Sequence, residues 1–159
     1  MYTLKNVYGK RNEKDICIYL FVYGSLKKGF DNHDLLKKDA ILIGEAETVK
    51  KFGLFEDSFG NYPYLTDRSS EHRVKGELYK IRCRRLLTRI DKFEGHPDFY
   101  QRKRILVRSG NHFVRAYAYI RDVAVGDNEV SLREWRNQSD VKLEALRRYF
   151  HTNGNDATI

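Results

Sequence analysis

The stretch Ile16–Tyr23 reads ICIYLFVY, a nearly continuous run of β-branched and aromatic residues. A run of this kind is typical of a strand that is buried on both faces. It leads directly into Gly24–Leu26 (GSL) and then into the polar residues Lys27–Gly29 (KKG). We therefore expect a central strand that ends at a glycine and opens into a loop.

Working outward from this strand, the first two-thirds of the chain contains mostly strand-like segments. They are Ala40–Val49, Phe52–Glu56, Val74–Ile81, Arg104–Arg108 and His112–Arg121. Ser109-Gly110-Asn111 between the last two is a hairpin signal, and Asp57–Pro63 has the composition of a loop. Helices are expected near Asn32–Lys38, over Cys83–Glu94 and over Ser139–His151, with a further turn over Ser131–Asn137.

Many strands and few helices, without βαβ alternation, predict an α+β protein. We expect a small mixed β-barrel, closed or partly closed, with helices packed on its outside. The 159 residues fit one domain over 1–159, with a helical C-terminal part over about 131–151. Met1–Lys14 lacks the apolar core of a secretory signal, and no run of about 18 apolar residues suggests a membrane span. The sequence therefore predicts a cytoplasmic protein; its oligomeric state stays open.

The formal net charge of +8 favours acidic partners, which include small anions, acidic surfaces and nucleic acid. The basic residues are scattered rather than gathered in a block, so a solvated surface is the default explanation. Cys17 and Cys83 lie within apolar patterns, and the five histidines show no metal-ligand spacing. The sequence predicts neither a metal site nor a disulfide.

The helix expected over Cys83–Glu94 carries one carboxylate in an unusual place. With 100° per residue, Leu87 and Ile90 belong to an apolar stripe, and Glu94 falls on the middle of that stripe. Gly95 then follows as a helix stop, and Pro97 two residues later confirms the exit. A carboxylate that points toward a core has a raised pKa and can exchange protons near neutral pH. Two alternatives stay open: a helix that frays before Glu94, and a structural ion pair with an arginine.

The loop Tyr23–Leu26 offers a second possible element of a site. Its glycine permits close backbone approach and unusual φ angles, so successive N–H groups can form an anion nest. A small carboxylate could bind there without a metal ion or an arginine. By itself this signal is weak, because a plain β-turn explains the same residues.

Together these segments resemble the γ-glutamylcyclotransferase-like superfamily, including its AIG2-like and γ-glutamylamine cyclotransferase branches. The resemblance covers about residues 16–120 and depends on the combination of two motifs, YGSL and ID-FEG-P--Y-R. The matching stretches are FVYGSLKKG (Phe21–Gly29) with Asn32-His33, NYPYL (Asn61–Leu65), VKGELYKI (Val74–Ile81) and LLTRIDKFEGHPDFYQRKRI (Leu86–Ile105).

The resemblance implies a small mixed barrel and an enzyme that needs no cofactor. The implied reaction cleaves a γ-glutamyl amide by attack of the substrate's α-amine on its own γ-carbonyl, giving 5-oxoproline and a free amine or amino acid. Glu94 stands in the position of the family's catalytic glutamate. The N–H groups of Tyr23, Gly24, Ser25 and Leu26 would hold the substrate's α-carboxylate, and Tyr100 would line the pocket or donate a hydrogen bond.

Two other functions are compatible with the sequence. One is a binding module that keeps the same fold and pocket, for a small anion or a γ-glutamyl compound, without turnover. The other is a basic protein associated with nucleic acid, although no recognition motif of that class is visible. A small anionic substrate already gives the positive charge a role through electrostatic steering. The identity of the leaving amine stays open.

Overall fold

The structure is a computed structural model that describes residues 18–56, 62–126 and 129–136. These residues form seven strands, one α-helix and a short 3-10 helix at His33–Leu35. The strands are β1 (Ile18–Val22), β2 (Ala40–Thr48), β3 (Gly53–Glu56), β4 (Pro63–Thr66), β5 (Lys75–Ile81), β6 (Gln101–Ser109) and β7 (His112–Ile120), and α1 spans Arg84–Glu94.

Five of these strands close into a mixed barrel. The order β1-β5-β2-β6-β7 is antiparallel at each step, and a parallel pairing of β7 with β1 closes the ring. The hairpin of β3 and β4 extends the sheet through a parallel contact between β4 and β7. The expectation of an α+β fold built on a small mixed barrel with a helix outside is therefore confirmed.

The central strand is buried on both faces, as its composition predicts. Leu20, Phe21 and Val22 are at most 4% exposed although they alternate between two faces. Leu20 and Val22 pack in the layer between the barrel and α1, together with Ile90 of the helix. Phe21 packs inside the barrel. The barrel thus has an inner core and an outer core, and β1 contributes to both.

Several element bounds differ from the sequence-based expectation. Pro63–Thr66 is strand β4, whereas Pro63 was assigned to a loop; a proline is tolerated here because it is the first residue of the strand. Strand β6 begins at Gln101 rather than Arg104, because the polar residues at the start of the strand also pair with β7. The two-residue turn Gly110-Asn111 joins them, with Gly110 at φ +59°.

Other expectations can be checked only in part. The short helix near Asn32–Lys38 is reduced to one 3-10 turn, and α1 begins at Arg84 with Cys83 as its N-cap residue. The helix expected over Ser139–His151, most of the C-terminal part over 131–151, and residues Ile16 and Cys17 lie outside the described residues. Among the residues that are described, no helix is both long enough and apolar enough to cross a membrane.

Candidate active site

One pocket collects almost all of the residues that the sequence singled out. It has a volume of about 230 Å³ and lies where the end of β1, the start of β4 and the end of α1 meet. Its lining comprises Phe21, Val22, Tyr23, Gly24, Ser25, Leu26, Tyr62, Pro63, Phe93, Glu94, Phe99, Tyr100 and Tyr119.

Glu94 reaches the pocket because the helix continues to this residue and then stops sharply. Ile90 and Leu87 are buried one and two turns earlier on the same stripe. Gly95 takes the left-handed conformation at φ +67°, its N–H bonds to the carbonyl of Lys92, and the next N–H, that of His96, bonds to the carbonyl of Asp91. This pair of bonds is a Schellman stop. The helix therefore does not fray before Glu94.

The Glu94 carboxyl group is partly buried and has a shifted pKa. Burial raises the pKa of Glu94 from 4.5 to about 7, because an apolar surrounding disfavours the charged form. Among the described residues no arginine, lysine or histidine forms an ion pair with it, so the structural-pair alternative is not found there. A carboxyl group with this pKa is half ionised at neutral pH and can both accept and return a proton.

The loop after β1 lines the same pocket and contains main-chain donors without a partner among the described residues. Within the described part of the chain, the N–H groups of Gly24, Ser25 and Leu26 donate no hydrogen bond to any backbone or side-chain group. The loop itself is firmly held: Asn32 bonds through its N–H to the Ser25 carbonyl and through its side-chain amide to Ser25 Oγ. His33 Nδ1 lies 2.9 Å from the carbonyl oxygen of Leu26. These contacts fix three adjacent unpaired donors in place.

Gly24 is needed for space rather than for an unusual φ angle. Its φ angle is not positive, contrary to one of the two reasons expected for a glycine here. A Cβ atom at this position would lie 2.7 Å from Cγ of Pro63, well inside van der Waals contact. Since both residues line the pocket, a side chain at position 24 would push apart β4 and the loop that follows β1.

The pocket tyrosines act mainly as walls. Tyr23 donates its hydroxyl proton to the carbonyl of Tyr119 and accepts a bond from the N–H of Leu65, so its hydroxyl is occupied on both sides. Burial, followed by the charges of Tyr100 and Glu94, raises the pKa of Tyr23 well above its usual value. Tyr100 donates to the carbonyl of Pro63 at 2.8 Å. Both hydroxyl protons are therefore committed to main-chain oxygens.

A bridge on α1 links the helix to the barrel wall. Asp91, one turn before Glu94, accepts a bond from the hydroxyl of Tyr119 at 2.7 Å and another from Arg102 at 2.7 Å. Asp91 thus pairs on the helix edge, and Arg102 is part of this structural contact. Because Tyr119 lines the pocket, the bridge fixes the end of α1 against β7 close to Glu94.

Sequence reasoning missed the aromatic residues at the mouth of the pocket. Tyr62, Phe93 and Phe99 line it and are 56%, 46% and 54% exposed. The guanidinium group of Arg121 lies 4.2 Å from the ring centre of Phe99 and supports that ring from behind. A signal for Phe93 and Phe99 was present: both are large apolar residues flanking the Glu94–Gly95 helix stop, where neither could belong to the helix's buried stripe.

In a small mixed barrel, the pocket thus combines a partly buried carboxyl group with a loop whose N–H groups at Gly24, Ser25 and Leu26 have no partner among the described residues. The sequence model of the family described as "Gamma-glutamyl cyclotransferase, AIG2-like" matches residues 20–137. The chain therefore belongs to the γ-glutamyl cyclotransferase, AIG2-like family.

Individual relatives agree with this assignment. The chain is 38% identical to a putative γ-glutamylcyclotransferase of Methanocaldococcus jannaschii over 64% of this chain and 82% of that protein. It is 39% identical to a γ-glutamylaminecyclotransferase of Bos taurus over 55% of each chain. The crystal structure of a mouse AIG2-like protein superimposes with a TM-score of 0.69 at 24% identity, covering 77% of this chain and 90% of that one. That likeness supports the fold.

Proposed function

We propose that this protein is a cyclotransferase that cleaves a γ-glutamyl amide into 5-oxoproline and a free amine. The observation that carries the proposal is the pairing of Glu94, with its pKa near 7, and the three unpaired N–H groups of Gly24, Ser25 and Leu26 in one pocket. The family and its relatives support the reaction class.

In the proposed mechanism the main-chain nest binds the substrate's α-carboxylate. This contact bends the glutamyl chain so that the α-nitrogen approaches the γ-carbonyl carbon. Glu94 accepts a proton from the α-ammonium group, the α-nitrogen bonds to the γ-carbonyl carbon, and the old C–N bond breaks as Glu94 returns this proton to the leaving nitrogen. The second proton, which the ring nitrogen loses on becoming an amide, passes to the released amine. Because the attack is intramolecular, holding the bent conformation supplies much of the acceleration.

The pocket's size and lining suggest which part of the substrate lies inside the pocket and which part lies at its mouth. A volume of about 230 Å³ suits a glutamyl group, so the leaving portion would lie at the mouth among Tyr62, Phe93 and Phe99. Among the described lining residues, Glu94 is the only one with a carboxylate or a basic side chain. A leaving group with its own carboxylate would find no cation among these lining residues, because the guanidinium group of Arg121 lies against the ring of Phe99, 4.2 Å from its centre. We therefore propose a γ-glutamyl amine, rather than a γ-glutamyl amino acid, as the preferred substrate class.

The test is release of 5-oxoproline from a matched panel, measured by mass spectrometry. The panel contains two amides whose leaving group has no carboxylate, γ-glutamyl-n-butylamine and γ-glutamyl-cadaverine, and two whose leaving group has one, γ-glutamyl-alanine and glutathione. We expect turnover of the first two and a loss of about 10²- to 10⁴-fold in kcat for Glu94→Gln, which keeps the shape but cannot exchange the proton. Glu71→Gln, at an exposed glutamate outside the pocket, is the control and should keep full activity.

Three outcomes would contradict all or part of the proposal. Full activity in Glu94→Gln would show that Glu94 is not the proton acceptor. Stabilisation of the wild-type protein by 5-oxoproline or glutamate, with no product from any substrate, would identify a binding module on the same fold instead. Turnover of glutathione and γ-glutamyl-alanine but not of the amines would leave the reaction intact and overturn the substrate class.

A further inference from the structure

The hairpin of β6 and β7 forms a second surface, which is distinct from the pocket. Residues two apart on a strand, and directly opposed residues on paired strands, share one face of a sheet. The register opposes Arg104 to Tyr117, Leu106 to Arg115, and Arg108 to Phe113. We call these six residues the arginine face.

The arginine face points outward from the barrel. The residues that alternate with it, including Val107, Ala116 and Ala118, are at most 1% exposed and pack inside the barrel. Arg104, Arg108 and Arg115 are all exposed, and Phe113 is 63% exposed, which makes it one of the most exposed large apolar residues of the described chain. Helix α1 contacts this hairpin at its other end, where Asp91 accepts hydrogen bonds from Arg102 and Tyr119.

The three arginines are not neutralised. Within residues 18–56, 62–126 and 129–136, none of Arg104, Arg108 and Arg115 forms an ion pair. Arg108 is opposed by Glu47 on β2 and lines a separate pocket with four glutamates, Glu45, Glu47, Glu77 and Glu134. The positive charge available to a ligand therefore lies mainly with Arg104 and Arg115, whose groove contains no carboxylate among its described lining residues.

A groove continues the arginine face between β1 and β7. These strands pair only at Leu20 and Tyr117, and beside that point they leave a groove of about 480 Å³. Its lining combines the guanidinium groups of Arg104 and Arg115 with aromatic rings, and it includes no carboxylate. The rings are those of Tyr19, Phe113 and Tyr117. The guanidinium group of Arg104 lies 5.5 Å from the ring centre of Tyr117.

This combination matches the chemistry of single-stranded nucleic acid. Guanidinium groups bind phosphate through paired hydrogen bonds, and exposed rings stack on unpaired bases. A duplex hides its bases from stacking, and an anionic membrane offers phosphates without bases, so an exposed ring between arginines favours a single strand. We propose that the arginine face and its groove bind single-stranded nucleic acid, independently of the pocket.

The test uses fluorescence anisotropy with a labelled 12-nucleotide oligo-uridine, between 50 and 200 mM salt. We expect R104Q/R115Q to bind about tenfold more weakly, with a salt slope smaller in magnitude by about 1.4, since each phosphate contact in a single strand contributes about 0.7. The control is R84Q/R85Q on α1, which removes the same two charges (+8 − 2 = +6) from exposed arginines elsewhere and should bind nearly as wild type.

A second pair of variants separates stacking from charge. F113A should weaken binding by about 5- to 150-fold, the range given by loss of one base–ring stack. F99A removes a comparably exposed ring at the pocket mouth and should leave the oligonucleotide affinity unchanged. R104Q/R115Q should release 5-oxoproline at the wild-type rate, which keeps this proposal separate from the cyclotransferase assignment.

Several results would overturn the proposal. Equal weakening by R84Q/R85Q and R104Q/R115Q would mean diffuse attraction by the net charge alone. Tighter binding to a duplex than to the single strand would exclude base stacking. Finding that the wild type binds vesicles with 30% phosphatidylserine but no oligonucleotide, and that R104Q/R115Q no longer binds these vesicles, would assign the surface to a membrane instead.

Discussion

The inner wall of the pocket and its mouth are built in opposite ways. The loop Gly24–Leu26 is held by Asn32 and His33, and Tyr23 behind it is 6% exposed with its hydroxyl fully bonded. At the mouth, Tyr62 and the two phenylalanines are about half exposed. The difference indicates a rigid site for one constant chemical group and an adaptable surface for a variable one. Under the proposed function, the constant group is the glutamyl head.

The largest expected effect follows from ionisation of Glu94 on the rigid side. A general base must be ionised, so kcat/KM should fall about tenfold for each pH unit below about 7, or about 100-fold at pH 5. A pH–rate profile measures this limb. Glu94→Gln should have low activity and no limb near pH 7. If kcat/KM of the wild type fell only below about pH 4.5, burial would not have raised the pKa of Glu94, contrary to what the proposed site requires.

The same shift predicts a pH dependence of stability. The folded pKa of Glu94, about 7, lies above the ordinary 4.5, so the native state binds the extra proton. Stability from this group is therefore present below pH 4.5 and is lost as the pH rises through 7. The full shift corresponds to about 3 kcal/mol. Urea unfolding should show Glu94→Gln more stable than the wild type at pH 8, with the gap closing at low pH; a constant gap would contradict the linkage.

A smaller effect is expected from Gly24→Ala. The new Cβ would meet Pro63 Cγ at 2.7 Å and displace the main-chain donors, and a shift of about 1 Å in a catalytic site costs about 10²-fold in rate. Steady-state kinetics and thermal unfolding measure the two consequences. Gly126→Ala is the matched control, because a Cβ there makes only ordinary contacts, the nearest at 3.7 Å. Normal kinetics in Gly24→Ala would mean that the loop does not position the substrate.

The smallest effect is expected at the mouth. Phe99→Ala removes a half-exposed ring, and losing about 40 Å² of apolar contact costs about 1 kcal/mol, or roughly fivefold in KM, while kcat is kept. Kinetics with γ-glutamyl-n-butylamine checks this value. Phe113→Ala, at an exposed ring outside the pocket, should leave KM unchanged. A larger loss in Phe99→Ala than in Gly24→Ala would reverse the contrast between the rigid wall and the adaptable mouth.

Local pattern was sufficient for much of the fold. The apolar run that contains Leu20–Val22 predicted a strand buried on both faces, and the helical spacing of Leu87, Ile90 and Glu94 predicted which way the carboxylate points. The local sequence pattern did not predict the strand Pro63–Thr66, because a short strand that starts with proline has no periodicity of its own. That strand exists through its pairing with β3 in a hairpin and with β7, whose partner residue Ile120 is distant in sequence.

The candidate site could be predicted only in part from the sequence, for the same reason. Glu94 and the loop after Tyr23 could be selected separately from residue chemistry, and the family resemblance joined them. The mouth residue Tyr62, the bridge from Asp91 to Tyr119, and the fit of Gly24 against Pro63 involve partners that are distant in sequence. A one-dimensional pattern does not encode such distances.

The sequence by itself determined the alternation, the helix stop at Gly95 and the position of one carboxylate on an apolar stripe. These depend on local backbone preferences and on the 3.6-residue period of a helix. The fold, in contrast, brings the end of the stripe to a pocket. Among the residues that the structure describes, it leaves three amides there without partners and gathers arginines that form no ion pair on one outer face. Barrel closure by β1 and β7, and the β6–β7 register, bring these groups together, and both are properties of paired strands rather than of any one segment.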